Sequence, residues 1–399
     1  MKSTHLLNLV LGLALLLIFA PAGQTLSEPR IPEQLKALGV PLTSSGIGDW
    51  QGECVDCPHW FQNLTDRSFQ FDSQGWLHVA YGGDHLYRAW HDGTTWQIET
   101  VDPAPGVGGY ASLALDSADR PHVGYHDQVN GDLKYAVYDG MTWQIETVDS
   151  MGSRYGHGYV SLTLDGSDLP HVSYYQAGEL AYAWYDGAEW QIETLPVEGA
   201  GEYSSLALDG ADNAHVSFEA NGTLGYAYAR REGTAWQWQV EAVDQQDVVG
   251  RYSSLALDGA DRPHISYYDG TQGRLKYAWH DGEGWQVEAV PVGTVGRVGR
   301  YTALALDQFD RPHISFYDES AGDLIYASYD GADWQVQTVP AGSEGDVGRY
   351  TALALDGGGQ PHIGYYDASN RDLRYVRLMP SLTSTKGRQV YVPLVRRGE

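Results

Sequence analysis

The sequence predicts an all-β fold, a seven-bladed β-propeller built from four-stranded antiparallel blades and closed by an N-terminal outer strand. Three observations carry this expectation. A unit of near-constant length recurs along the chain. Each copy reads as four short strands separated by turn residues. The last copy lacks its fourth strand, and a fragment that matches the missing piece stands before the first copy.

The chain has 399 residues and opens with one Lys before an apolar run at 6–19, followed by Ala20-Pro21-Ala22. This is the pattern of a secretory signal with a small-residue cleavage site, so 1–22 is expected to be removed. The run is short for a membrane span of roughly 20 apolar residues. No later stretch is apolar enough to cross a bilayer. A secreted protein, extracellular or at the cell surface, is therefore expected, with no membrane insertion after cleavage. Residues 23–48 read as a leader, 49–378 as the propeller, and 379–399 as a C-terminal tail.

The repeat is clearest in YTALALDQFDRPHISFYDESAGDLIYASYDGADWQVQTVP, which begins at Tyr301 and has counterparts at Tyr110, Tyr159, Tyr203, Tyr252 and Tyr350. The intervals are 49, 44, 49, 49 and 49 residues, the range of propeller blades. A divergent copy at 68–102 comes first and makes seven. Within a copy, TALALD is apolar on both faces, as an inner strand held between neighbouring blades must be. PHISFYD and LIYASYD are rich in β-formers, Asp-Gly marks a hairpin turn, and WQVQTVP is the fourth strand. After Leu373-Arg374-Tyr375 the last copy runs on without a Trp. WQGECVD at 50–56 matches WQIETVD at 96–102 in five of seven positions. It supplies the missing strand, and the count of seven then closes without an open edge.

Two columns occur in all seven copies: the Asp that ends the inner strand and the His that opens the second. Both flank one tight turn, where a carboxylate caps backbone N–H groups and accepts from imidazole, so they are read as folding devices. The third-strand Tyr set, taken as Tyr87, Tyr135, Tyr182, Tyr226, Tyr277, Tyr326 and Tyr375, and the fourth-strand Trp set are read as packing between blades. The cysteines Cys54 and Cys57 form one CVDC motif. Outside the cell a local disulfide is expected, since one CxxC offers too few ligands for a closed zinc site. No metal or other cofactor is expected.

The formal net charge is −27. Such an excess of carboxylates repels phosphate backbones and excludes nucleic acid as an expected partner. A monomer binding a glycan or another extracellular ligand is expected instead. Long variable loops gather on one face, where a rigid ring presents them for binding. On that face Arg251, Arg300 and Arg349 each precede the first Tyr of a blade, and only those blades end their second strand with Tyr268-Asp269, Tyr317-Asp318 and Tyr366-Asp367. One reading is an Arg–Asp salt bridge within or between blades. The other is a ligand site where Arg donors, Asp acceptors and Tyr faces meet a sugar or an anionic group.

Across 50–378 the pattern YxSLALDxxxRPHISYYDxxxGDLKYAxxDGxxWQxETVD resembles secreted bacterial propeller proteins grouped with sialidase-like and lectin-like repeats. The Asp-box of sialidases, SxDxGxTW, is not met at Asp92-Gly93-Thr94-Thr95-Trp96. A sialidase would hold a carboxylate with three arginines beside a Tyr–Glu pair. Arg251, Arg300 and Arg349 match the first element, and the sequence assigns no residue to the second. The expected function is thus non-catalytic recognition of carbohydrate or another extracellular ligand. The alternatives are a glycan-degrading enzyme, a sialidase-like hydrolase or polysaccharide lyase, and a surface protein-interaction scaffold.

Overall fold

The protein's structure, a computed structural model, describes residues 49–379 apart from 151–156, 177, 234, 247, 294–295 and 342–344. The expected signal peptide, the leader, and the tail beyond Met379 lie outside the described residues. Within them the chain forms seven four-stranded antiparallel sheets and no helix. Blade one spans 69–102, and blades two to six follow at 107–150, 157–198, 200–244, 251–289 and 298–338. Blade seven takes three strands from 347–378 and its outermost from Trp50–Asp56. The expected closure therefore appears as a β-ladder, from Trp50 opposite Leu378 to Asp56 opposite Leu373.

The second strand of each blade lies between two neighbours and is buried along almost its whole length, as in Pro263–Asp269 and Pro361–Asp367. Alternate faces of these strands feed separate apolar clusters between adjacent blades. Polar cross-links tie the same seams. Tyr81, Tyr125, Tyr174 and Tyr267 each donate a hydroxyl, at 2.7 Å in every case, to Asp56, Asp102, Asp149 and Asp244 at the end of the preceding blade's fourth strand. Asp56 thus does in the closing strand what its counterparts do elsewhere. Trp50 packs edge-on to Tyr326 at 5.4 Å, as Trp96 does to Tyr375 at 5.5 Å.

The His and Asp columns are structural. Six of the histidines turn Nδ1 to a third-strand Tyr hydroxyl, for example His215 to Tyr226 at 2.6 Å, and Nε2 toward the turn Asp. Burial holds these imidazoles neutral, and His78 is lowered to about 4 by burial and then by Arg88. Blade one corrects the third-strand column. Arg88, not Tyr87, lies opposite Ala80, the place Tyr135 takes opposite Gly124. Arg88 meets His78 at 2.9 Å and Glu99 at 3.0 Å. In blade four, Trp238 rather than Trp236 takes the repeat position, donating to Glu193 of the neighbouring blade.

Candidate functional site

The chain leaves the closing strand at the rim and must reach the axis to start blade one. It does so over the loop face. Cys54 and Cys57 are joined by a disulfide. His59 lies between Asp56 at 2.9 Å and Asp84 at 3.4 Å. Phe61 packs on Tyr366 at 4.8 Å, and Leu64 bridges to Ala111 on the inner strand of blade two. The segment then enters the channel. There Asp66 accepts hydroxyls from Ser205 at 2.6 Å and Ser254 at 2.8 Å, while Arg67 Nη2 donates to the Leu255 carbonyl at 2.6 Å. Burial pushes the Asp66 carboxyl up, outweighing Arg67 and the two serines.

Above this floor stand six tyrosines, one from each of blades two to seven. Tyr110, Tyr159, Tyr203, Tyr252, Tyr301 and Tyr350 all have left-handed backbone, φ 53 to 57°. Each sits in a β-bulge, where the ladder skips between the residue before Tyr and the second residue after it. Bulges redirect side chains, and here the redirection assembles a collar. Successive ring centroids are 5.0, 4.4, 4.5, 4.6 and 4.5 Å apart. The unusual conformation is locked from the next blade: Ser204, Ser253, Thr302 and Thr351 donate to the carbonyls of Tyr159, Tyr203, Tyr252 and Tyr301. Blade one has no such Tyr, and Asn63 and Leu64 fill its sector. Burial raises the phenols of Tyr110, Tyr159, Tyr203 and Tyr301, so these four stay neutral. The result is a cup of about 240 Å³ lined by the tyrosines, Asn63, Thr65 and Asp66.

The sequence-predicted residues surround this cup. Arg300 lies over Tyr268 of the preceding blade at 5.6 Å, and Arg349 over Tyr317 at 5.7 Å. Both arginines are tied to carboxylates other than the strand-ending Asp that co-occurs with them. Arg300 pairs with Glu319 at 2.7 Å, and Arg349 with Asp346. Burial opposes the charge of Arg349, but Tyr317 and Asp346 outweigh it and hold the guanidinium more firmly protonated. Asp269, Asp318 and Asp367 are buried and accept N–H groups from their own loops, such as Gln272, Ser320 and Asn370. The reason is positional: a carboxylate that ends a strand caps the turn that follows. Tyr268, Tyr317 and Tyr366 are buried as well and support the rim.

Arg251 is exposed and faces Glu219, whose carboxyl is raised by burial. Glu202 and Glu219 both act on the Tyr175 phenol, which burial raises first. Tyrosine and glutamate are therefore neighbours on the side of the mouth served by blades three and four. Sequence reasoning missed the collar, the Asp66 floor and the crossing segment with Trp60. The collar had a signal, since its Tyr opens every regular copy. The crossing segment lies outside the repeat and offered none.

No protein-family model and no curated protein matches the chain. Among solved structures, the chain is similar to a polysaccharide lyase, PL25 ulvan lyase, at 12% identity and TM-score 0.59 over 82% of this chain and 96% of that one. It is also similar to polysaccharide lyase Uly1, at 10% identity and TM-score 0.51 over 84% and 99%. Aleuria aurantia lectin, solved with alpha-methyl-L-fucoside, aligns at 14% identity and TM-score 0.48 over 72% and 98%. The shared feature is the fold, a β-propeller.

Proposed function

We propose that the protein is a secreted, monomeric recognition propeller that binds carbohydrate at the tyrosine-collared mouth of its channel. The observation that carries this reading is the collar, six phenols held in strained backbone around a cup with a floor. Strain repeated at one concave place is a pointer to use. Phenol rings and hydroxyls suit a sugar, which offers C–H faces and hydroxyls in alternation. The volume is below the roughly 300–1,000 Å³ of drug-sized pockets and fits one sugar unit. Arg251, Arg300 and Arg349 extend donors from the rim. The disulfide supports an oxidising compartment.

The test is a glycan-array and titration comparison of the parent with Tyr252→Gly/Tyr301→Gly, in which glycine keeps the left-handed backbone. Binding by the parent that weakens at least tenfold in the folded variant is expected. Equal binding by both proteins would remove the cup from consideration.

A second reading, a glycan-degrading enzyme, is favoured by one observation, Tyr175 beside Glu202 and Glu219. It predicts release of reducing ends or unsaturated products from a panel of polysaccharides, abolished by Glu202→Gln. Turnover unaffected by that change would leave the Tyr–Glu cluster without a catalytic role.

A further inference from the structure

We propose that the open groove between the crossing segment and blade seven is a subsite for an acidic sugar unit, one that carries a carboxylate or a sulfate. The proposal rests on the reading that the adjoining cup binds a glycan. The groove encloses about 650 Å³ and shares Tyr350 with the cup. Trp60, Arg349, Tyr366 and Arg371 line it.

Arg371 is the residue that demands an account. Its φ is 61°, in the left-handed region. The same loop position in blades two to six is Gly131, Gly178, Gly222, Gly273 and Gly322, all at positive φ. A position that the repeat gives to glycine, the one residue without a penalty there, carries in blade seven a long cationic side chain. That side chain is exposed. Among the described residues it has no ion pair, because the nearest carboxylates in sequence, Asp367 and Asp372, are taken by Arg374 at 3.3 and 3.1 Å. Its backbone carbonyl accepts from His59 N at 2.8 Å, so the loop is tied to the crossing segment that presents Trp60.

Trp60 is 49% exposed and lies close against Gly83, where a Cβ would come within 3.2 Å of the indole. An indole face packs on the C–H face of a sugar. A guanidinium fork beside it donates to the two oxygens of a carboxylate or sulfate. A chain with 52 acidic and 25 basic residues repels an acidic glycan at long range. The contact is therefore short-ranged and is measured at physiological ionic strength, where the screening length is about 8 Å.

The experiment compares galactan, galacturonan and sulfated galactan oligosaccharides of equal length, by calorimetric titration of the full chain. The proteins are the parent, Arg371→Gly, Trp60→Ala and Tyr301→Gly. The acidic members are expected to bind the parent at least tenfold tighter than the neutral one. Arg371→Gly, which restores the repeat's own residue and keeps the fold, is expected to erase that preference while changing neutral binding less than twofold. Trp60→Ala is expected to weaken the acidic members. Equal affinities in the parent, or a preference that survives Arg371→Gly, overturns the proposal. A preference lost in Arg371→Gly but indifferent to Tyr301→Gly keeps this subsite and sinks the cup. Binding by no member sinks both.

Discussion

Tyr81, Tyr125, Tyr174 and Tyr267 face Asp56, Asp102, Asp149 and Asp244 across the blade seams. In the same column Phe218 and Phe316 follow blades whose fourth strand has Pro196 or Pro291 in place of the Asp, and Tyr365 turns to the Ala341 carbonyl. Every Asp is followed by Tyr, and Pro is followed by Phe at two of three seams; at the third, Pro340 precedes Tyr365, which uses the backbone carbonyl instead. The Asp–Tyr part of the rule was legible in the sequence. Tyr81→Phe leaves Asp56 without its buried donor and is expected to cost about 1–3 kcal/mol. Phe316→Tyr gains no acceptor of this kind and is expected to give no matching stabilisation. Chemical denaturation of both variants checks the rule, and equal effects would refute it. The misplaced Tyr87 has a similarly local cause. Blade one's second loop is shorter, so counting from the His column slips by one, whereas aligning Leu86 with Leu133 puts Arg88 in the aromatic place.

The closing strand and the crossing segment behave differently as elements. Trp50–Asp56 keeps enough of the WQxETVD pattern to be assigned from sequence alone. Residues 57–67 follow no period, and their course is set by tertiary contacts: the His59 bridge, Phe61 on Tyr366, and Asp66 on the serines of blades four and five. The Arg column was also legible, but its partners were not. An Asp that ends a strand and an Arg that starts a blade look like a pair on paper, and only the register shows the carboxylate turned into its own loop. Removing the disulfide with Cys54→Ser/Cys57→Ser frees a loop of only a few residues, so chain-entropy arguments limit the loss to about 2 kcal/mol. A larger fall in a thermal melt would mean that the bridge anchors the crossing segment itself. Arg371→Gly relieves left-handed strain of about 1–2 kcal/mol at the expense of about 0.5–1 kcal/mol in chain entropy. Its expected stability, measured in the same way, is equal to the parent's or up to about 1 kcal/mol higher.

At the scale of the whole ring, one histidine recurs in each of the seven blades, and so does its response to acid. Burial holds the imidazoles of His78, His122, His171, His215, His264, His313 and His362 below their ordinary range, His78 at about 4. In the unfolded chain each titrates near 6.5. Between those values the unfolded state binds more protons, so stability falls as pH drops below about 6.5 and is unaffected by these groups above it. Thermal melts at pH 7.5 and pH 5 are expected to show a lower midpoint at pH 5, and a higher one would contradict the neutral-His assignment. The carboxyls of Asp66, Glu193, Glu219 and Asp323, raised by burial, act in the opposite sense and are four groups against seven. The closure has a further consequence, in time. Trp50–Asp56 leaves the ribosome before every other described strand of the ring, yet its partner ends at Leu378, roughly 320 residues later. At synthesis rates of about 5–20 residues per second, that interval lasts tens of seconds. Throughout it the nascent strand has no edge to join. Its sequence tolerates the wait: Gln51, Gly52, Glu53 and Cys54 stay exposed even in the finished ring, so little about it invites a wrong partner before the right one is made.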